Sequence, residues 1–229
     1  MKIRVGFGYD VHALVLHREL WLGGIKIEHS MGLQGHSDAD VLIHAICDAL
    51  LGAANMRDIG YHFPDTSGEY KGIDSKILLR KTMELLREAG YLLSNIDATI
   101  AAERPKLNPY IPEMKRVMAE VLQVEEDDIS IKATTTEKLG FTGRQEGIAA
   151  YANVLNSYNE YGKYAESITN RYNERSSAGC DPSGHGLPGT LEGMQSIYSY
   201  IGKYRYNPGS SGLGGCYYFN YMYGKQYCS

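Results

Sequence analysis

Apolar side chains repeat at helical spacing in three segments of the chain, and β-type runs lie between them. Behind a capping box at Ser37 and Asp40, the spacing of Leu42, Ile46 and Leu50 predicts a helix from about residue 38 to 53. Capping residues and a glycine stop mark two further helices, at 74–89 and 109–122. The predicted strands are 2–9, 20–28 with a Gly23-Gly24 turn, 91–103, 129–134 and 147–155. We therefore expect an α+β fold, an α/β sandwich in which a mixed four-stranded sheet carries helices on one face.

The polar face of the first predicted helix carries Asp40, His44 and Asp48 at intervals of four residues. Taken alone, this acid–histidine–acid stripe is explained equally well as a solvated surface. His36 and Ser37 lie just before the helix, where backbone N–H groups and the helix dipole attract anions. These two donors favour a phosphate site at the start of the helix.

The first predicted strand leads into the pair Asp10 and His12, whose side chains leave the same face because strand residues alternate. A pair of this kind is more often structural than functional. Together with His44, however, it supplies one carboxylate and two imidazoles. Three such protein ligands are typical of a catalytic zinc site, which keeps its fourth position open for substrate.

A β-type run at 129–134 opens into a loop rich in threonine, glycine and charge that ends near residue 147. Its polar side chains are three successive hydroxyls, a carboxylate and two cations: Thr134, Thr135, Thr136, Glu137, Lys138 and Arg144. Such groups suit a diphosphate and its metal ion. The alternative interpretation is an ordinary polar turn.

Five blocks in this order resemble one enzyme family: DVH at 10–12, HSDADVLIHA at 36–45, DIGYHFPDT at 58–66, ERPKLNPYIP at 103–112 and KATTTEKLGFTGRQEG at 132–147. The family is 2-C-methyl-D-erythritol 2,4-cyclodiphosphate synthase, and the resemblance runs from Met1 to about Leu155. It implies a CMP-forming phosphorus–oxygen lyase of the non-mevalonate route to isoprenoids. The 2-phosphate of 4-diphosphocytidyl-2-C-methyl-D-erythritol 2-phosphate attacks the β-phosphorus of its own diphosphate and expels CMP. Such phosphoryl transfer depends on positioning and charge stabilisation.

The resemblance implies a role for each matching residue. Asp10, His12 and His44 would hold one Zn²⁺ per chain, and Glu137 would hold Mg²⁺ or Mn²⁺ with the diphosphate. His36 and Thr135 match the family's stabilisers of the transition state.

Two groups of substrate-binding positions follow from the same resemblance. Those near the methylerythritol phosphate are Ser37, Asp58, Ile59, Gly60, Phe63, Pro64 and Asp65. Those near the nucleotide are Ala102, Lys106, Leu107, Asn108, Ala133, Thr134, Thr136, Phe141 and Arg144. Asp48 matches a polar position near the sugar, although an ordinary acid on a helix face explains it equally well.

The resemblance also implies a homotrimer. One layer of helices would leave the other face of the sheet bare. Three subunits would pack these faces about a threefold axis. Each active site would lie between neighbours, with zinc ligands from one subunit and part of the nucleotide pocket from the other.

The overall composition excludes several other classes of protein. A net charge of -4 gives no basic footprint for nucleic acid, and no apolar run is long enough to span a membrane. The first residues already form a predicted strand, so we expect no signal or transit peptide and a cytoplasmic bacterial enzyme. Cys47 lies on the apolar side of its helix, and we expect a small buried hydrophobic side chain there.

The last part of the chain differs in kind, because residues 158–229 hold thirteen of the nineteen tyrosines together with many Gly and Ser. A short helix to about residue 175, then a linker and a low-complexity segment, would fit this pattern. Cys180, Cys216 and Cys228 fit no zinc-finger spacing and no closed set of disulfides. We expect a synthase domain at 1–157 and a Tyr/Gly/Ser-rich extension at 158–229.

Two hypotheses about activity remain. In the first, the chain is an active cyclase with an inert extension. In the second, it is a non-catalytic trimeric scaffold that displays the extension. The intact motif positions favour the first.

Overall fold

A computed structural model of the chain describes residues 2–158, apart from residues 65, 67 and 71. Its strands are β1 Lys2–Leu16, β2 Leu20–Leu22, β3 Ile25–Ile27, β4 Met31–Leu33, β5 Tyr91–Ala101, β6 Ile129–Thr134 and β7 Gly147–Tyr158. Its helices are α1 Val41–Ala53, α2 Ile59–His62, α3 Ser75–Glu88, α4 Ile111–Leu122 and α5 Gly140–Gly143. Short 3-10 turns occupy Gly68–Tyr70, Asn108–Tyr110 and Glu126–Asp128. The proposed helix to about residue 175 and Cys180, Cys216 and Cys228 lie outside the described residues.

The strands form a mixed sheet in the order β4-β1-β7-β5-β6, in which only the β5–β6 pair is parallel. The α+β class is therefore confirmed, but the sheet has five strands and not the four expected. The additional strand is β4, which pairs with the last residues of a β1 that runs well beyond residue 9. Strands β2 and β3 form a separate hairpin through the predicted Gly23-Gly24 turn, where both glycines have positive φ.

One face of the sheet is covered by helices, and α1 packs closest to it, on β1 and β7. Two glycines of β1 make this close packing possible. A Cβ at Gly6 would lie 1.9 Å from the carbonyl oxygen of Ala49, and a Cβ at Gly8 would lie 1.9 Å from that of Ala45. Cys47 is completely buried in this layer, as expected, and burial raises the pKa of its thiol to about 12.

The opposite face of the sheet, called the open face below, is apolar and uncovered in the single chain. Alternate residues of β1 project from it: Ile3, Val5, Phe7, Tyr9 and Val11, with exposed fractions of 61, 70, 62, 43 and 40%. Tyr151 of β7 adjoins them, its ring 5.1 Å from that of Tyr9. A contiguous apolar surface of this kind is typical of an interface between proteins.

Helix α1 begins three residues later than predicted, because Asp40 and not Ser37 is its N-cap. The Asp40 carboxylate accepts hydrogen bonds from the Ile43 N–H and from the N–H groups of Gly23 and Gly24. Asp40 is completely buried and ties the β2–β3 hairpin to the helix. It is therefore a structural anchor, and the solvated-stripe interpretation is wrong for this residue.

Candidate active site

Many of the candidate site residues lie at one end of the strands, where four neighbouring strands of the sheet begin or finish. The strand register places Asp10 beside Ala150, Ala150 beside Ile100, and Ile100 beside Ala133. The later part of β1, the start of β7 and the ends of β5 and β6 therefore meet there. Two metal-ligand candidates, Asp10 and His12, lie in β1, and His44 lies in α1. The nucleotide-binding candidates lie at the ends of β5 and β6 and in the segments that follow them.

Asp10, His12 and His44 come together as the sequence predicts. The Asp10 Oδ2 atom lies 3.1 Å from His12 Nε2 and 3.0 Å from His44 Nδ1, and the two histidine nitrogens are 3.2 Å apart. Neighbouring ligands of a tetrahedral ion with bonds of about 2.0 Å lie about 3.3 Å apart. These three side chains, called the metal triangle below, therefore fit a zinc ion in both donor type and spacing.

The charges in the metal triangle are strongly coupled. Burial alone would raise the pKa of Asp10, but hydrogen bonds and charge from His12 and His44 hold it well below its usual range. Burial alone would lower the pKa of His44, but the adjacent Asp10 carboxylate raises it. A negative group beside two imidazoles is an environment that favours a cation.

The far side of the His44 ring contacts two serines. Its Nε2 atom lies 3.1 Å from Ser37 Oγ and 3.0 Å from Ser75 Oγ. Ser75 is completely buried at the start of α3, and the Asp38 carboxylate lies beside it. Sequence reasoning missed Ser75 and Asp38, because a serine and an aspartate near helix starts look like ordinary capping residues.

The loop at 35–40 presents His36 and Ser37 beside the metal triangle. The Arg18 guanidinium donates to the carbonyl oxygens of Gly35 and Ser37, at 3.1 and 3.2 Å, and so fixes the backbone on both sides of His36. The Asp40 carboxylate already caps α1 and accepts from the Ile43 N–H. A phosphate bound by His36 and Ser37 stays a prediction, and in the structure its donors would belong to the loop rather than to α1.

The segment proposed to hold the methylerythritol phosphate is attached to α1 through Asp48. The Asp48 Oδ1 atom accepts a 2.7 Å hydrogen bond from the N–H of Ile59, and burial raises the pKa of Asp48. Asp58 caps α2 and accepts from the N–H of Tyr61. Gly60, Phe63 and Pro64 follow in and after this short helix, whereas Asp65 lies outside the described residues.

The threonine-rich loop pairs most of its polar groups with one another. Thr135 Oγ1 donates to Glu137 Oε1 at 2.9 Å, so these two predicted site residues are in direct contact. The Thr136 hydroxyl lies 2.7 Å from the Leu139 carbonyl oxygen and 2.8 Å from Thr142 Oγ1. These contacts make Thr136 part of the loop's own framework. Glu137 and Lys138 both have positive φ, a strained conformation that often marks functional loops.

Other nucleotide-binding candidates lie at the ends of β5 and β6. The Ala102 N–H donates to the Thr134 carbonyl oxygen at 3.0 Å, which joins the two segments next to Ala133. Leu107 is buried, whereas Lys106 and Asn108 are exposed. Phe141 is partly exposed on α5, and Arg144 forms a two-bond ion pair with Glu146. The order of the strands places the end of β6, with Ala133 and Thr134, three strand spacings, about 14 Å, from β1, whereas Phe141 lies beside Gly147, next to His12.

The fold and the site define the class of protein: a mixed α+β sandwich with an Asp–His–His group suited to a metal ion. The chain belongs to the YgbB family, whose profile matches residues 3–157. Its relatives include proteins named 2-C-methyl-D-erythritol 2,4-cyclodiphosphate synthase from Parabacteroides distasonis and Bacteroides fragilis. These are 85% and 75% identical over 155 residues, which cover 68% of this chain and 96% and 98% of theirs.

Solved structures agree with this assignment. The chain is similar to the CDP complex of IspF from Plasmodium falciparum, with 34% identity and a TM-score of 0.61, covering 69% of this chain and 97% of that one. The bifunctional IspDF of Campylobacter jejuni matches with 44% identity and a TM-score of 0.67, over 69% of this chain and 43% of that one. The resemblance found over residues 1 to about 155 is thus confirmed.

The relatives support cyclisation in the isoprenoid pathway, and no observation favours a non-catalytic scaffold. Within residues 2–158, as far as the structure describes them, no helix has both the length and the apolar character needed to cross a membrane.

Proposed function

We propose that this chain converts 4-diphosphocytidyl-2-C-methyl-D-erythritol 2-phosphate to 2-C-methyl-D-erythritol 2,4-cyclodiphosphate and CMP. The observation that carries the proposal is the metal triangle of Asp10, His12 and His44, in a chain that over 155 residues is 85% identical to a protein named as this synthase. An oxygen of the 2-phosphate forms a bond to the β-phosphorus, and the bond from that phosphorus to the CMP oxygen breaks. All atoms are accounted for within one substrate molecule, so the reaction requires neither water nor a protein nucleophile.

The residues around the metal triangle would position the reacting phosphates. When bound, Zn²⁺ on the metal triangle and Mg²⁺ or Mn²⁺ on Glu137 would supply Lewis-acid stabilisation of the diphosphate oxygens. His36 and Thr135 would donate hydrogen bonds to oxygens that gain negative charge in the transition state. The 2.9 Å contact between Thr135 and Glu137 supports a shared role for these two groups. Elemental analysis of the purified chain should give about one zinc per chain.

The remaining site residues would hold the two ends of the substrate. The residues that would contact the methylerythritol phosphate are Ser37, Asp58, Ile59, Gly60, Phe63, Pro64 and Asp65, and Asp48 would lie near the sugar. Ala102, the segment from Lys106 to Asn108, and Ala133, Thr134, Thr136, Phe141 and Arg144 would contact the cytidine nucleotide. The solved CDP complex of a relative supports a nucleotide site of this kind.

We further propose a homotrimer with active sites between subunits. The apolar open face supports this assembly, since it would otherwise expose Ile3, Val5 and Phe7 to water. The end of β6 lies about 14 Å from β1, so in the proposed trimer a neighbouring subunit would supply part of the nucleotide pocket next to each metal triangle. The bacterial relatives support a cytoplasmic bacterial enzyme, with the synthase domain at 1–157 and the extension at 158–229.

The assembly is tested by placing a charge on the open face. Phe7→Glu should dissociate the trimer, measured by light scattering, because the carboxylate would have to be buried between sheets. Glu120→Lys, an exposed charge change on α4, is the matched control and should leave the trimer intact. A Phe7→Glu protein that stays trimeric would argue against assembly through the open face.

The activity is tested by incubating purified, zinc-loaded full-length protein with the diphosphocytidyl substrate and Mg²⁺. We expect stoichiometric CMP and cyclodiphosphate, separated by chromatography and identified by phosphorus NMR. A folded, zinc-loaded trimer that releases no CMP would contradict the proposed function and leave only the scaffold hypothesis.

A further inference from the structure

The tautomer of His44 is determined by the groups around its ring. Nδ1 faces the metal triangle, 3.0 Å from Asp10 Oδ2 and 3.2 Å from His12 Nε2. Nε2 faces the hydroxyls of Ser37 and Ser75, at 3.1 and 3.0 Å. Nδ1 can bind a metal only through its lone pair, and a neutral ring must then carry its proton on Nε2.

Asp38 determines the direction of the hydrogen bond between Ser75 and His44. An ionised carboxylate only accepts hydrogen bonds, and Asp38 Oδ1 lies 2.5 Å from Ser75 Oγ. The Asp38 carboxylate also accepts from the N–H groups of Ser75 and Asp40, at 2.9 and 3.1 Å, which hold it in place. Ser75 therefore donates its only hydroxyl proton to Asp38. The Ser75 oxygen is left with lone pairs that can accept a hydrogen bond from the N–H at His44 Nε2.

We propose that Ser75 and Asp38 are positioning residues that keep the proton of His44 on Nε2 and direct the Nδ1 lone pair to the metal. The inference rests on the proposed function, in which His44 is a metal ligand. Neither residue would bind the metal ion itself: Ser75 acts on His44 directly, and Asp38 acts through Ser75. Groups that orient a ligating imidazole in this way typically contribute 10- to 100-fold to metal affinity or activity.

The same arrangement fixes the orientation of Ser37. Its Oγ accepts a 3.0 Å hydrogen bond from the N–H of Ala39. A protonated Nε2 on His44 cannot accept a hydrogen bond from the Ser37 hydroxyl. Ser37 must therefore donate its hydrogen bond to another acceptor. Ser37 and Ser75 therefore have different roles although both contact Nε2: Ser75 accepts from the imidazole, and Ser37 keeps its proton for another acceptor.

The test compares zinc affinity in the full-length wild-type chain and in Ser75→Ala, by competition with a chelator. We expect Ser75→Ala to bind zinc about 10- to 100-fold more weakly, because His44 loses the acceptor that fixes its tautomer. Asp74→Ala is the matched control. Asp74 caps the same helix through the Lys76 N–H, so this variant weakens α3 without changing the contacts of His44.

A second measurement does not depend on turnover. In zinc-loaded protein with ¹⁵N-labelled histidine, NMR should show a proton on His44 Nε2 that exchanges slowly with water. The resonance is assigned by its loss in His44→Gln. Its exchange should be at least about tenfold faster in Ser75→Ala than in wild type or Asp74→Ala, since the hydroxyl oxygen that accepts its hydrogen bond has gone.

Asp38→Asn provides a variant that keeps the size of the side chain. Its amide can donate to Ser75, which would then turn its own proton towards His44 and oppose the Nε2–H tautomer. We expect zinc affinity to fall at least as far as in Ser75→Ala. If Ser75→Ala does not fold, this variant decides the outcome.

The results separate this inference from the proposed function. A wild-type chain that binds no zinc would overturn the metal site itself. A wild-type chain that binds zinc, with unchanged affinity and unchanged proton exchange in Ser75→Ala and Asp38→Asn, would overturn only the role of Ser75 and Asp38. A proton observed on Nδ1 of zinc-loaded His44 would also overturn it.

Discussion

The metal triangle and the threonine-rich loop are both polar, but they are organised in opposite ways. In the metal triangle, Asp10, His12 and His44 aim their ligand atoms at one point, and His44 is supported from behind by buried Ser75. In the loop, Thr135 and Glu137 contact each other in an exposed segment. One chain therefore builds the metal site fully in advance. The groups of the loop pair with one another, and in the proposed trimer they would face the substrate and a neighbouring subunit.

The largest effect should come from separating α1 from β1, which would dismantle the metal triangle but not the loop. Gly8→Ala places a Cβ 1.9 Å from the Ala45 carbonyl oxygen, and backbone cannot move aside as a flexible side chain does. We expect the free energy of unfolding, measured with urea, to fall by at least about 3 kcal/mol. The fraction of the Gly8→Ala protein that stays soluble should contain much less zinc than the wild type.

Gly52→Ala is the control for this variant, because the nearest atom to its added Cβ is 3.9 Å away. It should be neutral or stabilising by up to about 1 kcal/mol, as alanine is favoured over glycine within a helix. Equal stability of the Gly8→Ala protein and the wild type would show that α1 does not pack on β1 as closely as described.

The next effect in size should come from removing one metal ligand while the fold stays intact. His44→Ala should lose most of its zinc and lower turnover by about a thousandfold or more, since metal stabilisation contributes several kcal/mol to such transition states. The trimer should remain, measured by light scattering, because His44 lies on the helix side of the sheet, away from the open face. His29→Ala is the control, as His29 contacts only the backbone of Met31 among its described hydrogen bonds. Full activity in His44→Ala would refute the metal assignment.

The sequence predicted this metal triangle better than it predicted the surroundings. Strand alternation and helical spacing are local patterns, and they indicated the faces that carry Asp10, His12 and His44. Their residue types, one carboxylate and two imidazoles, then suggested a shared metal ion. Helices α3 and α4 began within two residues of their predicted starts because helical patterns are local. Contacts between distant segments leave no such pattern. Ser75 is 31 residues from His44. Two of the N–H groups that donate to the buried Asp40 carboxylate belong to the separate β2–β3 hairpin.

Strand β4 shows the same limit for the fold. Its residues, Met31–Leu33, have neither alternation nor β-branched side chains, and they form a strand because the long end of β1 offers them unpaired backbone groups. The threonine-rich loop was identified by composition, but its internal pairing was not. The Arg144–Glu146 ion pair and the Thr136–Thr142 contact depend on how the chain turns at α5.

A smaller effect is expected in the threonine-rich loop, because its groups act on charge that develops during the reaction. Thr135→Ala should lower kcat by about 100-fold and leave KM within about threefold of wild type, as for a donor aimed at the transition state. Glu137→Gln should raise the Mg²⁺ concentration needed for half-maximal activity. Ser30→Ala, which removes an exposed hydroxyl between β3 and β4, is the control, since Ser30 is not among the site residues. If both site variants changed KM alone, the loop would serve ground-state binding only.

The smallest effect should follow removal of the extension. Cutting the chain after Tyr158 keeps all of β7, including its pairing with Lys2 and Tyr91. The metal triangle, the threonine-rich loop and the open face all lie before that residue. Assembly, zinc content and CMP release should therefore stay within about twofold of the full-length chain, measured side by side under the same conditions. Loss of the trimer or of zinc on truncation would mean that residues 159–229 stabilise the domain. The difference between the metal triangle and the loop would then depend on the extension as well as on residues 2–158.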